Sequence, residues 1–375
     1  MNTARQRGSN GGFAVLRYSL PLLLLLAAAP AVAGPLGIAG DYNEFILGNS
    51  NRQNTDMQGK VAVGGNLQLK SFAVAPNVPS NQTNLVVGGN LTAEGGSING
   101  NVVVGGDVNY SNPTIKGNLA ANGAVKFNPN SGGSINGSVT YGSSFVKPNW
   151  MNPPAQQGTT ELPIDFAAQA TFLNQLSAAQ VGANDATAVA QWSQLFFTGN
   201  AGLNVFGISE AMMEGAGGGF HINAPSGSTV VINVSGADLM LVNTGLNLTG
   251  GITLDRILWN FYEATSLTFA GSFNGSILAP KAVAKANYGG MNGNLIVAAL
   301  YGGGGVGTYS GLETHTKFNG QSTYFTGELR AIPQPEPEPQ PDPDPNEIPV
   351  PEPGTLALLG LGAMLAGLVR RRRTA

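Results

Sequence analysis

The sequence contains no cysteine. That excludes a disulfide framework, a thiolate nucleophile and a Cys-ligated metal. Charge is also scarce, at 10% of the 375 residues. Only two histidines occur, His221 and His315. A histidine-based triad needs a serine and an acid positioned in space, which sequence does not reveal; both histidines read as surface or turn residues. From Asp41 to Ile332 there are 11 basic and 15 acidic residues, a net of −4. No basic patch for nucleic acid is present.

The acids that could serve a carbohydrate-cleaving enzyme are Asp41, Glu44, Asp56, Asp107, Asp255 and Glu263. They are scattered, and cleavage needs a convergent pair or a metal with a base. Asp255-Arg256 reads more simply as a local ion pair. The glycine runs Gly215–Gly219 and Gly302–Gly305 lack the Gly-Lys-Ser/Thr of a phosphate loop and read as surface loops. Trp192 and Trp259 read as core. The expectation is a protein without catalytic residues, cofactor or metal ligands, and not an enzyme.

What the chain does have is glycine, 54 residues of it, and repetition. Val61-Ala-Val-Gly-Gly-Asn-Leu67 recurs as Leu85-Val-Val-Gly-Gly-Asn-Leu91 and Val102-Val-Val-Gly-Gly-Asp-Val108. Gly96-Ser-Ile-Asn-Gly100 recurs at Gly133–Gly137, and Phe273–Ala279 recurs at Met291–Val297. Gly117–Ala120 and Ala124–Phe127 are degraded copies. A period of about 17–24 residues suits one turn of a β-solenoid. Each V-x-V strand turns alternate side chains inward, Gly-Gly makes the corner, and Asn or Asp closes it. Stacking would align Asn66, Asn90 and Asp107 in a ladder. Val61, Val63, Val86, Val103 and Ile135 are the expected inner wall.

The middle departs from this pattern. Phe166, Ala170, Leu173 and Leu176 have helical spacing between Pro163 and Gln180, with Asp165 in the first turn. Asn184 or Asp185 could cap a second helical piece through Trp192, Leu195 and Phe196. Strand pattern returns after Gly199, over 203–208, 229–234, 239–242, 252–259 and 267–269. The fold expected is mainly β, a solenoid with one or two helices packed along its flank.

Both ends are address labels. Arg5, Arg7 and Arg17 precede the apolar run Leu20–Ala29, and Ala31-Val32-Ala33 forms a cleavage site that predicts a mature start at Gly34. Pro333–Pro349 alternates proline with acids, a polyproline-II spacer of about 50 Å. Then come Val350-Pro351-Glu352-Pro353, an uncharged stretch Thr355–Val369, and Arg370, Arg371, Arg372 and Arg373. Fifteen helical residues span about 22 Å, short of the ~30 Å hydrocarbon core. The arginines stay cytoplasmic. Such a segment suits temporary anchoring.

The C-terminal arrangement resembles the PEP-CTERM sorting signal of Gram-negative bacteria. That resemblance implies handling by exosortase and the secretion machinery, with a transient inner-membrane stage and a final place at the cell surface or extracellular matrix. Asp41–Gly48, Gly59–Asn66, Gly202–Phe206, Ile257–Phe261 and Phe273–Pro280 together look like the choice-of-anchor A family over nearly all of 38–328. The order of repeats, helix and further strands is also similar to bacterial ice-binding proteins with an interrupted β-helix. These resemblances imply surfaces and adhesion and supply no catalytic motif. The domains expected are a signal peptide (1–33), a solenoid (34–332), a spacer (333–349) and a sorting signal (350–375). The leading function is adhesion to a polymeric ligand, with surface or matrix polysaccharide as partner. Ice binding and polysaccharide hydrolysis or lysis are the alternatives; no Thr-x-Thr ladder supports the former.

Overall fold

The computed structural model describes residues 34–112, 114–130, 132–182, 186–242, 245–302 and 311–333. Ala31, Ala33, the spacer beyond Pro333, Val350–Pro353 and Arg370–Arg373 lie outside the described residues, as do Asn184, Asp185 and Gly303–Gly305. The chain divides into two units between Ile332 and Pro333.

The repeats stack as parallel strands in three ladders, the shortest of which joins Ala73–Val74 to Ser97–Ile98, Thr114–Ile115 and Ser134–Ile135 on one side and to Asp56–Met57 and Glu313–His315 on the other. In the first, Glu44–Ile46 pairs with Val61–Val63, then Thr83–Val87, Asn101–Val104, Leu119–Ala121, Val139–Tyr141 and Ala155–Gln157 follow in chain order. On its other side Glu44–Ile46 pairs with Leu295–Gly302. From there the ladder runs backward through Ser276–Tyr288, Ile257–Asn260, Thr229–Ser235 and Leu203–Ser209. The first repeat therefore sits inside the stack, and the last one closes onto it.

Register follows alternation. Val61 faces Leu85, Leu85 faces Val102 and Val102 faces Leu119, all buried in the main core. Val61 and Val63 belong to this inner wall, and Ile135 is partly buried against it. Val86 and Val103 do not. They hold the middle position of their V-x-V units, aligned with Ala62, so they point outward. Val86 is buried in a second cluster on the outer side, whereas Val103 is half-exposed.

The Gly-Gly corners owe their glycines to stacking. A Cβ on Gly88 would sit 2.2 Å from the Gly64 carbonyl oxygen, and one on Gly105 would sit 2.2 Å from that of Gly88. The Asn ladder forms beside them. Asn49 Oδ1 accepts from the Asn66 amide, Asn66 from Asn90, and Asn90 from Asp107, each at 2.8 Å; Asp107 accepts from Ala124 at 2.7 Å. Each side chain thus satisfies a corner N–H of the next repeat.

Helix α1, Phe166–Gln180, begins at Asp165, which caps it by accepting from the Ala168 amide at 3.0 Å. Leu173 and Leu176 pack on Phe45, Ala62, Val86, Leu258 and Ile296, the outward apolar side of the first ladder. Over its middle, from Thr229–Ser235 to Thr83–Val87, that ladder is buried on both faces, as parallel sheets under helices are; towards Ala155–Gln157 the outer face is exposed. Phe325 joins the same cluster, so the C-terminal stretch of the domain helps to cover it.

The second helical piece does not form. Val189–Gln191 pairs antiparallel with Gln194–Thr198 across Trp192 and Ser193, whose φ values are 50° and 57°. Two left-handed residues make the tight turn that strand twist favours. Leu195 and Phe197 turn inward at period two, and Trp192 is left 80% exposed at the turn, while Trp259 is fully buried. The second helix instead is a short one, α2 (Glu210–Glu214), capped by Ser209.

Candidate interaction face

The second ladder follows the corners. Its strands are Asp238–Val242, Ser266–Ala270, the latter parts of Ser276–Tyr288 and Leu295–Gly302, then Ser50–Gln53, Leu67–Lys70, Leu91–Glu94, Val108–Ser111, Val125–Phe127 and Phe145–Val146. Alternate side chains such as Leu241, Phe269, Leu300, Leu69 and Phe127 fill the core. The others form an outward column. One half contributes Met240, Thr268, Lys285 and Tyr301. The other half contributes Asn51, Gln68, Thr92, Asn109, Lys126 and Val146.

The two halves differ in character. From Asn51 to Lys126 the column is amide, hydroxyl and ammonium. On the C-terminal half large apolar groups are exposed: Met240 50%, Tyr288 49% and Tyr301 38%, with Val242 and Val283 beside them. Among the flanking positions Lys70 Nζ lies 3.5 Å from Glu94 Oε2, and Asp238 is exposed on the same side as Met240. Helix α1 packs on the outer side of the first ladder; among the described residues α2 meets the second ladder only at its end strand, Asp238–Val242.

The candidate acids are not brought together here. Glu44 lies in the interior, 3.3 Å from Arg52, with both side chains fully buried. Asp107 serves the corner ladder. Asp255 is not held by Arg256: its Oδ2 accepts from the Thr326 hydroxyl at 2.6 Å. Glu263 accepts from the Gly236 amide. Asp41 lines a cavity of about 500 Å³ with Lys60, Tyr324 and Phe325; burial pushes the Tyr324 hydroxyl up to about 12.

Asp56 is the one with an acidic neighbour. Partial burial and then the Glu313 carboxylate raise its pKa, against a smaller pull from His315. His315 lies 3.2 Å from Glu313 and 3.0 Å from Asn292 Oδ1. His221 stacks on Phe196 with centroids 4.6 Å apart and contacts Asn247. Among the described residues no group of three or more His, Asp or Glu could hold a metal ion, and no helix is long and apolar enough to cross a membrane. The face itself was not named by sequence reading. The signal was there in Gln68, Thr92 and Asn109, the polar middle positions after each corner.

The family model described as "Putative Ice-binding-like adhesive domain" matches residues 35–308, and the PEP-CTERM protein-sorting motif matches residues 349–373. The motif implies export and C-terminal membrane anchoring before exosortase processes the chain. No curated protein sequence matches. Among solved structures, an ice-binding protein from the Antarctic ascomycete Antarctomyces psychrotrophicus is similar at 13% identity over 75% of this chain and 97% of that one, with a TM-score of 0.26. So loose a likeness bears on neither ligand nor activity.

Proposed function

The chain belongs to the family of ice-binding-like adhesive domains, and on that premise we propose that it is a non-enzymatic adhesin of the cell surface or extracellular matrix of a Gram-negative bacterium. It binds a polymeric ligand, a polysaccharide, through the outward face of the second ladder. The domain is a β-solenoid in this reading, supported by three parallel ladders that gain one strand per repeat. The closing of the last repeat onto the first supports the interrupted β-helix form. The choice-of-anchor A likeness supports the same surface role.

The observation that carries the proposal is the exposed column from Met240 to Val146, in register across both halves. Hydrogen bonds exchanged with water contribute only about 0.5–1.5 kcal/mol each. Useful affinity then needs many contacts along one chain, and strands repeating at ~4.8 Å provide them. The test is binding of the exported protein to matrix polysaccharide and to its short oligomers. Affinity rising with length, without shortened products, is the expected result. Equal affinity for monomer and polymer, or released fragments, would overturn it.

Ice is the second reading, favoured by the family description and by the regular ladder. Thr92 and Thr268 are the threonines of the column, and they are separated by Lys285, Tyr301, Asn51 and Gln68. No inhibition of ice recrystallisation is expected; clear inhibition would replace the polysaccharide with ice.

A further inference from the structure

We propose that the outward column takes an acidic polysaccharide, one bearing carboxylate or sulfate groups. This rests on the reading of that face as a polymer-binding surface. Lys285 and Lys126 occupy the same register column, with Tyr301, Asn51, Gln68, Thr92 and Asn109 between them. At ~4.8 Å per strand the two ammonium-bearing positions are roughly 29 Å apart. No carboxylate interrupts the column. The flanking Lys70 and Glu94 pair with each other at 3.5 Å, and the flanking Asp238 lies at the Met240 end, beyond the stretch from Lys285 to Lys126.

The rest of the domain makes this contrast selective. Between Asp41 and Ile332 the net charge is −4, so the domain as a whole offers a polyanion no net attraction. A column with two cations and no acid within it attracts such a chain rather than repelling it. A lysine ammonium is a compact charge on a flexible stem, suited to point contact with a carboxylate or sulfate that need not be held in one orientation. The amides and hydroxyls between the lysines both donate and accept, as sugar hydroxyls do. Tyr301 and the nearby exposed Tyr288 present flat apolar rings with a polar tip, on which the C–H face of a pyranose packs. Each ion pair on an exposed surface is weak, so only an extended ligand reaching several positions is retained.

The test compares immobilised alginate, a polyuronate, with uncharged dextran, using the exported and processed protein. Retention on alginate is expected at low salt and release as ionic strength approaches about 1 M, where charges are screened beyond ~3 Å. K126E/K285E should weaken alginate binding at least tenfold with unchanged thermal unfolding, and K126Q/K285Q should lose less. Equal, salt-insensitive retention on both polymers would overturn the acidic ligand and leave polymer binding standing. Alginate binding untouched in K126E/K285E would remove it from this column. Retention on neither would overturn this inference and the adhesive reading together.

Discussion

Glu44 and Arg52 occupy inward positions that the neighbouring repeats give to Val61 and Leu69. Their ion pair is fully buried, with Arg52 also donating to the Leu312 carbonyl and lying 5.4 Å over the Phe72 ring. Burial raises the Glu44 carboxyl more than Arg52 and Thr314 lower it, so the pair is kept against a desolvation cost. Removing one partner leaves a buried charge, and E44L or R52L alone should lose about 3–5 kcal/mol in urea unfolding. E44L/R52M together should recover most of that. Equal losses in single and double variants would show that the pair does not act as a unit. Asp56 gives a pH prediction. Its raised pKa means that its contribution to stability is fully present below the ordinary value of 3.8 and is lost as pH rises through the raised one. D56N should therefore melt above the unsubstituted protein near pH 7, and the difference should shrink below about pH 4. A difference constant with pH would contradict the assignment.

At the scale of elements, the corner is the repeating device. Its glycines allow one corner to lie directly on the carbonyl of the last, and its Asn or Asp side chain closes the N–H of the next. G88A should cost about 1–3 kcal/mol, because the added Cβ would stand 2.2 Å from the Gly64 oxygen. G217A, where nothing lies within 4 Å, is the control and should change stability little; similar losses in both would refute the stacking explanation. In the C-terminal half the same corner is built differently. Ser276–Tyr288 and Leu295–Gly302 bend from the first ladder into the second within one strand, with a register shift between Ala279 and Val283. That is why the V-x-V-G-G-N signature fades there while the stacking continues.

For the whole molecule, the polar pair sits where the first repeat meets the last, between Leu295 and Val61. Shifting the first repeat by one place along the stack would carry Glu44 and Arg52 together but take Arg52 away from the Leu312 carbonyl and the Phe72 ring, so those contacts favour one closure. The far C-terminus carries the sorting motif. Replacing Pro351, Glu352 and Pro353 with alanine should leave an unprocessed, cell-associated chain, read by mass and by fractionation of cells and medium. Normal processing and release of that variant would separate these residues from the sorting function.

The sequence by itself determined the sorting motif, the helix at Phe166–Gln180, the Gly-Gly corners and the Asn66–Asn90–Asp107 ladder. All are local patterns, set by residues close in the chain or by a short period. Tertiary structure decided what depends on distant partners. Trp192, Leu195 and Phe196 lie at a spacing compatible with a helix, but pairing of Gln194–Thr198 with Gly219–Asn223 makes them turn and strand. Val86 and Val103 are as apolar as Val61, and only register against Ala62 shows that they face outward. Glu44 and Arg52 look like surface charges until Leu295–Gly302 closes over their repeat. The candidate face joins Tyr301 to Asn51 across 250 residues, a neighbourhood that no window of sequence contains.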